Sequence, residues 1–354
     1  MKIVVFGGQY FNYLDSVVYA LTNLGHNVKV VEMQLLFNSK LSFIEYLRYK
    51  MNDKKYIASF YSKVKQNLIN VLKEFEPDVF LSINGNTFYE FLDENFFCEA
   101  RKQGTITVAW YMDSIKQFMD KEQNLKMFDY VYSFEANDVT WGKESLGVDI
   151  KYLPIGVAEE IYCNEEDEEE HIYDVSFVGN ATPNRLEVLR KVAVYCAKNN
   201  KTMIVYGHYW HNKHWYQDML GKKKFAENYP DLSLFVSNEL CSPVNVSKLY
   251  KQSKICLNIH TSLHKGINPR TFEILGNGNF ELCDFRGDAE KMGLINETNI
   301  AMYTDADDCI KKIDYYLNNE VERKAIGKRG KEIVKDKYTM TKLLSGVLKE
   351  LKER

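Results

Sequence analysis

An alternation, run twice, limits what this chain can fold into. In the first half the short apolar runs are Ile3–Phe6, Val28–Val31, Val79–Ile83, Thr105–Tyr111, Tyr130–Phe134 and Ile150–Leu153. In the second they are Tyr173–Val178, Thr202–Tyr206, Leu232–Val236, Ile255–Ile259 and Asn279–Cys283. Stretches of helical periodicity lie between them. The pattern predicts helices over 15–24 (Asp15 as N-cap, Gly25 as stop), 41–76, 137–146, 307–317 and 321–335, and one opening near Thr182-Pro183. Parallel strands need crossovers of this length, so each half reads as a doubly wound α/β sheet.

The two halves meet at six consecutive acids, Glu165 to Glu170. Such a block repels itself and stays solvated, which marks a connection. The expected division is therefore 1–158, an acidic connector over 159–172, and 173–339. The closing helix, 340–354, carries Leu343, Leu344, Val347, Leu348 and Leu351 on one stripe. It is expected to pack on the first domain. Lys342, Lys349, Lys352 and Arg354 leave a membrane-surface role open.

Composition removes several classes. A chain of 354 residues makes about two domains. Lys and Arg number 46 against 49 acids, a net −3. That balance argues against a whole-surface grip on nucleic acid. The acidic run produces it, by turning a surplus of three positive charges into −3, so a locally positive cleft remains open. Seven scattered cysteines with no C-x-x-C pair read as free thiols of a reducing cytoplasm. No apolar run reaches the roughly 20 residues of a membrane span. The opening MKIVVFGG reads as a core strand rather than a leader. Dinucleotide-binding G-x-G-x-x-G, P-loop, G-x-S-x-G and H-E-x-x-H patterns are all missing.

In open α/β sheets ligands sit beyond the carboxyl ends of strands, and two such domains would face each other across a cleft. The strand ends bearing glycine or charge are therefore the candidates. Asn268-Pro269 signals a helix start, with Arg270, Thr271 and Glu273 in its first turn. Open amides plus Arg270 would cradle a diphosphate, with Lys265 adding a point charge. Glu273 could accept from two vicinal hydroxyls; Arg270 and Glu273 could equally form an ordinary surface pair. Gly179, Asn180 and Arg185 form a similar strand-to-helix turn. Gly7-Gly8 offers an acceptor or phosphate loop. Asp113, ending its strand, could take a proton, bind a sugar hydroxyl or cap the next helix. His208, His211 and His214 drift off one helical face, so an aromatic, partly exposed segment is expected there and no metal site.

The segments DVSFVGNATPNRLEVL (174–189), ICLNIHTSLHKGINPRTFEILGNGNFELCDF (255–285) and YYLNNEVERKAIGKRGKEIVKDKYT (315–339) resemble the GT-B glycosyltransferases, nearest to their CgeB-like (spore-maturation) group. TVAWYMDS (107–114) and YLPIGV (152–157) fit the same pattern. The resemblance implies two Rossmann-like domains, an acceptor domain and then a nucleotide-sugar donor domain. It implies a metal-independent hexosyltransferase without cofactor, using a UDP-sugar as the expected co-substrate. The acceptor would be a protein, a glycan or a modified DNA base, in a bacterial or phage-encoded cytoplasmic protein. Glu273 matches the family's ribose-binding glutamate, and Arg185 and Arg270 match positions beside the diphosphate. Asn268, Thr271, Gly179 and Asn180 would complete the donor site, with Asp113, Lys265 and Arg270 as catalytic residues. Related retaining enzymes carry a glutamate where this chain has Lys265, which leaves stereochemistry open. A nucleotide-sugar 2-epimerase and a non-catalytic nucleotide-sugar-binding module are the alternatives.

Overall fold

The computed structural model describes residues 1–8, 12–32, 47–48, 51, 53–83, 92–118, 125–164, 170–207, 210–211, 215–239, 241–261 and 266–353. The chain divides into two compact units, Met1–Ile155 with Met340–Arg354, and Gly156–Thr339.

The first unit holds β1 (Lys2–Gly7), α1 (Tyr13–Asn23), β2 (Asn27–Glu32), α2 (Lys54–Phe75), β3 (Val79–Ile83) and α3 (Glu94–Lys102). It continues through β4 (Ile106–Tyr111), α4 (Ile115–Phe118), β5 (Tyr130–Ser133), α5 (Ala136–Trp141) and β6 (Ile150–Tyr152). Its strands are all parallel, in the order β2-β1-β3-β4-β5-β6. The two-residue period of a strand sorts side chains between two cores. Val4, Phe6 and Phe80 pack with α2 and α3, whereas Ile3, Val5, Val79 and Leu81 pack on the opposite face.

The second unit begins with α6 (Glu159–Tyr162), β7 (Tyr173–Val178), α7 (Pro183–Lys198), β8 (Met203–Tyr206), α8 (Trp215–Asn228), α9 (Pro230–Ser233) and β9 (Val236–Ser237). There follow α10 (Pro243–Lys251), β10 (Ser253–Asn258), α11 (Pro269–Gly276), β11 (Glu281–Asp284), β12 (Ala301–Tyr303), α12 (Ala306–Asn318) and α13 (Glu320–Lys337). Its six parallel strands run β12-β11-β10-β7-β8-β9. The stretch 156–164 belongs to this unit rather than to a connector. Ser247 Oγ donates to the Ile161 carbonyl at 3.2 Å, and Tyr162 is buried. Of the acidic run only Glu170 lies among the described residues.

The closing helix, α14 (Met340–Lys352), returns to the first unit. Met340, Leu344, Val347, Leu348 and Leu351 bury in one core with Leu14, Val17 and Leu21 of α1. Each contributes roughly 2 kcal/mol of burial, so the stripe is spent within the protein. Glu350 fixes the register by accepting from Tyr132 Oη at 2.8 Å and pairing with Lys151.

Several sequence expectations need correction. Asp15 does not cap α1: Asn12 stands at the N-cap in the left-handed region (φ 69°), and Asp15 falls in the first turn. The long helix is described only from Lys54, where Asp53 accepts from the amides of Lys55 and Tyr56; residues 41–46 lie outside the described residues. Leu232–Val236 is not a strand. Pro230 starts a helical turn, Leu232 is its core-facing residue, and only Val236–Ser237 pairs with β8. A short apolar run reads alike in both cases. The helix expected to reach Leu146 passes at Gly142 into a wider π turn. β12, three residues long, was missed, although Ile300 and the strand form a short apolar run between Asn299 and Thr304.

Candidate functional site

In the second sheet the strand order reverses between β7 and β10, because their successors β8 and β11 lie on opposite sides. Such a reversal opens a crevice beyond the strand ends. Both strands lead into helices that begin with proline, Pro183 for α7 and Pro269 for α11. Proline lacks the amide that a first turn leaves unused, and its fixed φ suits that turn.

Arg185 lies in the first turn of α7 and folds inward. Its Nε donates to the Ile259 carbonyl at 2.9 Å and a terminal nitrogen to the Asn180 carbonyl at 3.0 Å, so one side chain ties the ends of β7 and β10 together. The guanidinium lies 5.5 Å over the Phe177 ring. Burial pushes its pKa down to about 10; the Arg270 charge acts in the same direction and Asp284 opposes. No ion pair among the described residues neutralises it. Gly179 makes room for this side chain: a Cβ there would stand 3.0 Å from the guanidinium. Arg185 thus fills the space beside Gly179. Asn180 contributes its carbonyl and is exposed. Gly207, at φ 153°, lets β8 close on β7, since a Cβ would sit 2.0 Å from the Gly179 oxygen.

Arg270 and Glu273 form an ion pair of 3.2 Å, with side chains 25% and 14% exposed. The pair is therefore partly buried rather than an ordinary surface contact. Arg270 also donates to Tyr250 Oη at 3.2 Å. Burial would lower the Arg270 pKa, but Tyr250 and Glu273 hold it above its usual range. Burial raises Glu273, against the pull of Arg270. Two guanidinium groups thus share one crevice with a single carboxylate ion-paired to Arg270, beside the first-turn amides of two helices. This is a positive site suited to a compact dianion.

Asn268 and Thr271 turn inward. Asn268 caps α11 by accepting from the Thr271 amide at 3.3 Å, and it exchanges reciprocal 3.0 Å bonds with Asn258. Thr271 is fully buried and donates to Glu281 Oε1 at 2.8 Å, and Asn258 donates to the same oxygen at 2.8 Å. Both residues fix the helix that presents Arg270, and their side chains are committed to that task. Lys265 lies outside the described residues.

The structure adds groups that sequence reasoning missed. His260, ending the β10 segment, contacts Asp284 Oδ1 through Nδ1 at 2.9 Å, and its amide donates to the same oxygen at 2.8 Å. Arg286 pairs with the other Asp284 oxygen at 2.5 Å. Burial lowers the His260 pKa in spite of Asp284, while His260 and Arg286 hold Asp284 low against its own burial. The only signal was a histidine and an aspartate at the ends of neighbouring apolar runs.

In the first unit the order reverses between β1 and β3. Gly7 ends β1, where a Cβ would strike Ile83 Cγ1 at 2.4 Å. Its glycine therefore serves strand packing; Gly8 follows it, also buried. Asp113 is exposed beyond β4. The amides it was expected to cap are taken by Asp138, which accepts from Ile115 at 2.7 Å and Lys116 at 3.2 Å. Asp138 is fully buried and also accepts from Ser114 and Ser133, at 3.0 and 2.6 Å. His208 and His214 lie outside the described residues. Trp210, expected to be partly exposed, is buried and donates to the Gly179 carbonyl at 3.2 Å. All seven cysteines are free, four of them buried. Among the described residues no group of three metal-ligating side chains forms and no helix is long and apolar enough to cross a membrane.

Two parallel six-stranded sheets with flanking helices define a GT-B fold. Residues 190–348 match the family model described as glycosyl transferase-like; the match runs from within α7 into α14 and includes Arg270 and Glu273. HepE from Anabaena, solved with UDP and glucose, superposes with a TM-score of 0.64 at 12% identity, covering 100% of both chains. Sucrose-phosphate synthase from Thermosynechococcus elongatus superposes at 0.62 with 11% identity, over 99% of each chain. A UDP-N-acetylglucosamine 2-epimerase-type structure from Listeria monocytogenes gives 0.60 at 11% identity, over 99% of this chain and 95% of that one. No curated protein sequence matches the chain. The likeness to these structures is one of fold, and the family model covers less than half of the chain.

Proposed function

We propose that the protein is a metal-independent glycosyltransferase of the CgeB-like group, moving a sugar from a nucleoside diphosphate to an acceptor hydroxyl. The supporting observation is the pair Arg185 and Arg270 at the strand reversal of the second unit, Arg185 being buried with no ion pair among the described residues. In the transfer step the bond between the anomeric carbon and the diphosphate oxygen breaks, and its electron pair leaves on the diphosphate. Preorganised guanidinium groups and first-turn amides oppose that negative charge most strongly as it develops. Lys265 would add a third cation. Glu273 holds Arg270 in place and offers its second oxygen to the ribose hydroxyls. Asp113 would take the proton released as the acceptor oxygen bonds to carbon. UDP is the preferred nucleotide of this reading, because HepE was solved with UDP and glucose on the same fold.

The test is thermal shift with UDP-, GDP-, dTDP- and ADP-sugars, followed by assay of nucleotide release. A rise in Tm with a nucleoside diphosphate sugar, and slow release of the diphosphate, are expected. The reading falls if none of the four classes binds. An epimerised sugar formed from donor alone would move the assignment to the 2-epimerase alternative.

A further inference from the structure

The carbonyls that hold the first turn of α7 lie past the last paired residue of their strand. Asn258 closes the β10 ladder opposite Cys283. Beyond it, the Ile259 carbonyl accepts from Arg185 Nε at 2.9 Å, and the His260 carbonyl accepts from Asn184 Nδ2 at 2.7 Å. Two side chains of α7 therefore take their places from a two-residue segment beyond the end of the ladder. A guanidinium donates in a rigid fork, so a shift of one acceptor moves the whole group.

Asp284, the last residue of β11, holds that segment. Its Oδ1 takes both the His260 amide, at 2.8 Å, and His260 Nδ1, at 2.9 Å, while Arg286 pairs with Oδ2. The strand end that carries Asp284 is itself tied to β12, where the Phe285 amide donates to the Tyr303 carbonyl at 2.8 Å. His260 and Arg286 favour the ionised form of Asp284 against its burial. A carboxylate only accepts, so His260 Nδ1 carries the hydrogen. The other ring nitrogen, Nε2, is buried with no partner among the described residues, which leaves the ring hydrogen-bonded to Asp284 alone. Bonds to an ionised acceptor are of the stronger kind. The contacts thus run from Asp284 through His260 and Ile259 to Arg185.

We infer that Asp284 is a positioning residue for Arg185, which it sets by clamping the segment 259–260 that the first turn of α7 hangs from. Its consequence for UDP rests on the donor reading above, but the placement of Arg185 can be measured without any ligand. The Arg185 Nε–H, followed by NMR, should exchange slowly with solvent in the wild type and at least about tenfold faster in Asp284→Ala. Asp284→Asn keeps an acceptor for His260 and should restore most of that protection. UDP affinity should fall at least about tenfold in Asp284→Ala. The double variant D284A/R185A should bind UDP no more weakly than Arg185→Ala alone, because the first substitution acts through the second residue. His260→Ala deletes the ring contact and keeps the amide; an intermediate exchange rate is expected, and it replaces Asp284→Ala should that variant unfold. Unchanged exchange in both alanine variants, equal loss of protection in Asp284→Asn and Asp284→Ala, or losses that add in the double variant would each overturn the assignment. If the wild type bound no UDP, the donor reading would fail, and the exchange rates would still decide whether Asp284 places Arg185.

Discussion

Gly7, the last residue of β1, and Arg185, in the first turn of the helix after β7, both belong to the strand-to-helix passages beside which their sheets reverse. In the first unit Gly7 packs against Ile83. In the second a guanidinium bridges two strand ends, with Arg270 nearby. The strand reversal provides a location, and the side chains supplied there decide its chemistry. The proposed function places donor recognition in the second unit and gives proton transfer to Asp113 of the first.

Arg270→Ala is the strongest way to break this comparison. It removes a fork of donors from the proposed diphosphate site and leaves Glu273 partly buried without its partner. Turnover should fall on the order of 1,000-fold, and the Tm shift produced by UDP should vanish. Arg270→Lys should recover only part of the loss, because an ammonium lacks the bidentate geometry. An unchanged UDP response in Arg270→Ala would remove the second unit's claim to the donor.

Asp113→Asn probes the other side, with a smaller expected effect. Turnover should drop roughly 100-fold, as for loss of a general base, while UDP affinity stays at the wild-type value. Parallel UDP titrations of the two variants make the comparison direct. If Asp113→Asn weakened UDP as much as Arg270→Ala does, the division of labour between the units would fail.

Glu273→Gln sharpens the donor side alone. The shape is kept, but the charge that steadies Arg270 and, in the proposed function, meets the ribose hydroxyls is lost. Affinity for UDP should fall about tenfold, or 1.4 kcal/mol. Inorganic pyrophosphate, which has no ribose, should bind almost as before. Equal losses for both ligands would confine Glu273 to the support of Arg270.

What was legible in the sequence follows how local each signal is. Strands buried on both faces, such as Val79–Ile83 and Tyr173–Val178, stand out as apolar runs between polar neighbours, and Asn268-Pro269 marks a helix start through its own backbone chemistry. The partners of Arg185 were not legible, because the Ile259 carbonyl lies 74 residues away and its identity depends on strand order. Asp138 escaped notice for the same reason: it caps a helix 23 residues upstream, while Asp113 stood next to that helix in sequence. Thr271 was misjudged in direction. One turn of a helix contains residues that face out and residues that face in, and the sequence around Thr271 does not separate it from Arg270.

The smallest effect on turnover is expected from Glu281→Gln, beneath the site. Glu281 is fully buried, with Oε1 accepting from Asn258 and Thr271 and no partner on Oε2 among the described residues. Burial pushes its pKa up to about 7, with Asp284 adding to the rise and the two hydrogen bonds opposing it. A carboxyl whose folded pKa lies above its unfolded value stabilises the fold fully only below the unfolded value, near 4.5. That contribution is lost as pH rises to about 7, because the folded state then resists ionisation that the unfolded chain accepts. At 1.36 kcal/mol per pKa unit the loss amounts to about 3 kcal/mol. Glutamine keeps an acceptor for Asn258 and Thr271 and cannot ionise. Its denaturation midpoint should therefore fall less than the wild type's between pH 5 and pH 8, with UDP binding at pH 7 unchanged. Parallel curves for the two proteins would mean that Glu281 ionises without cost, and that a polar group meets its free oxygen.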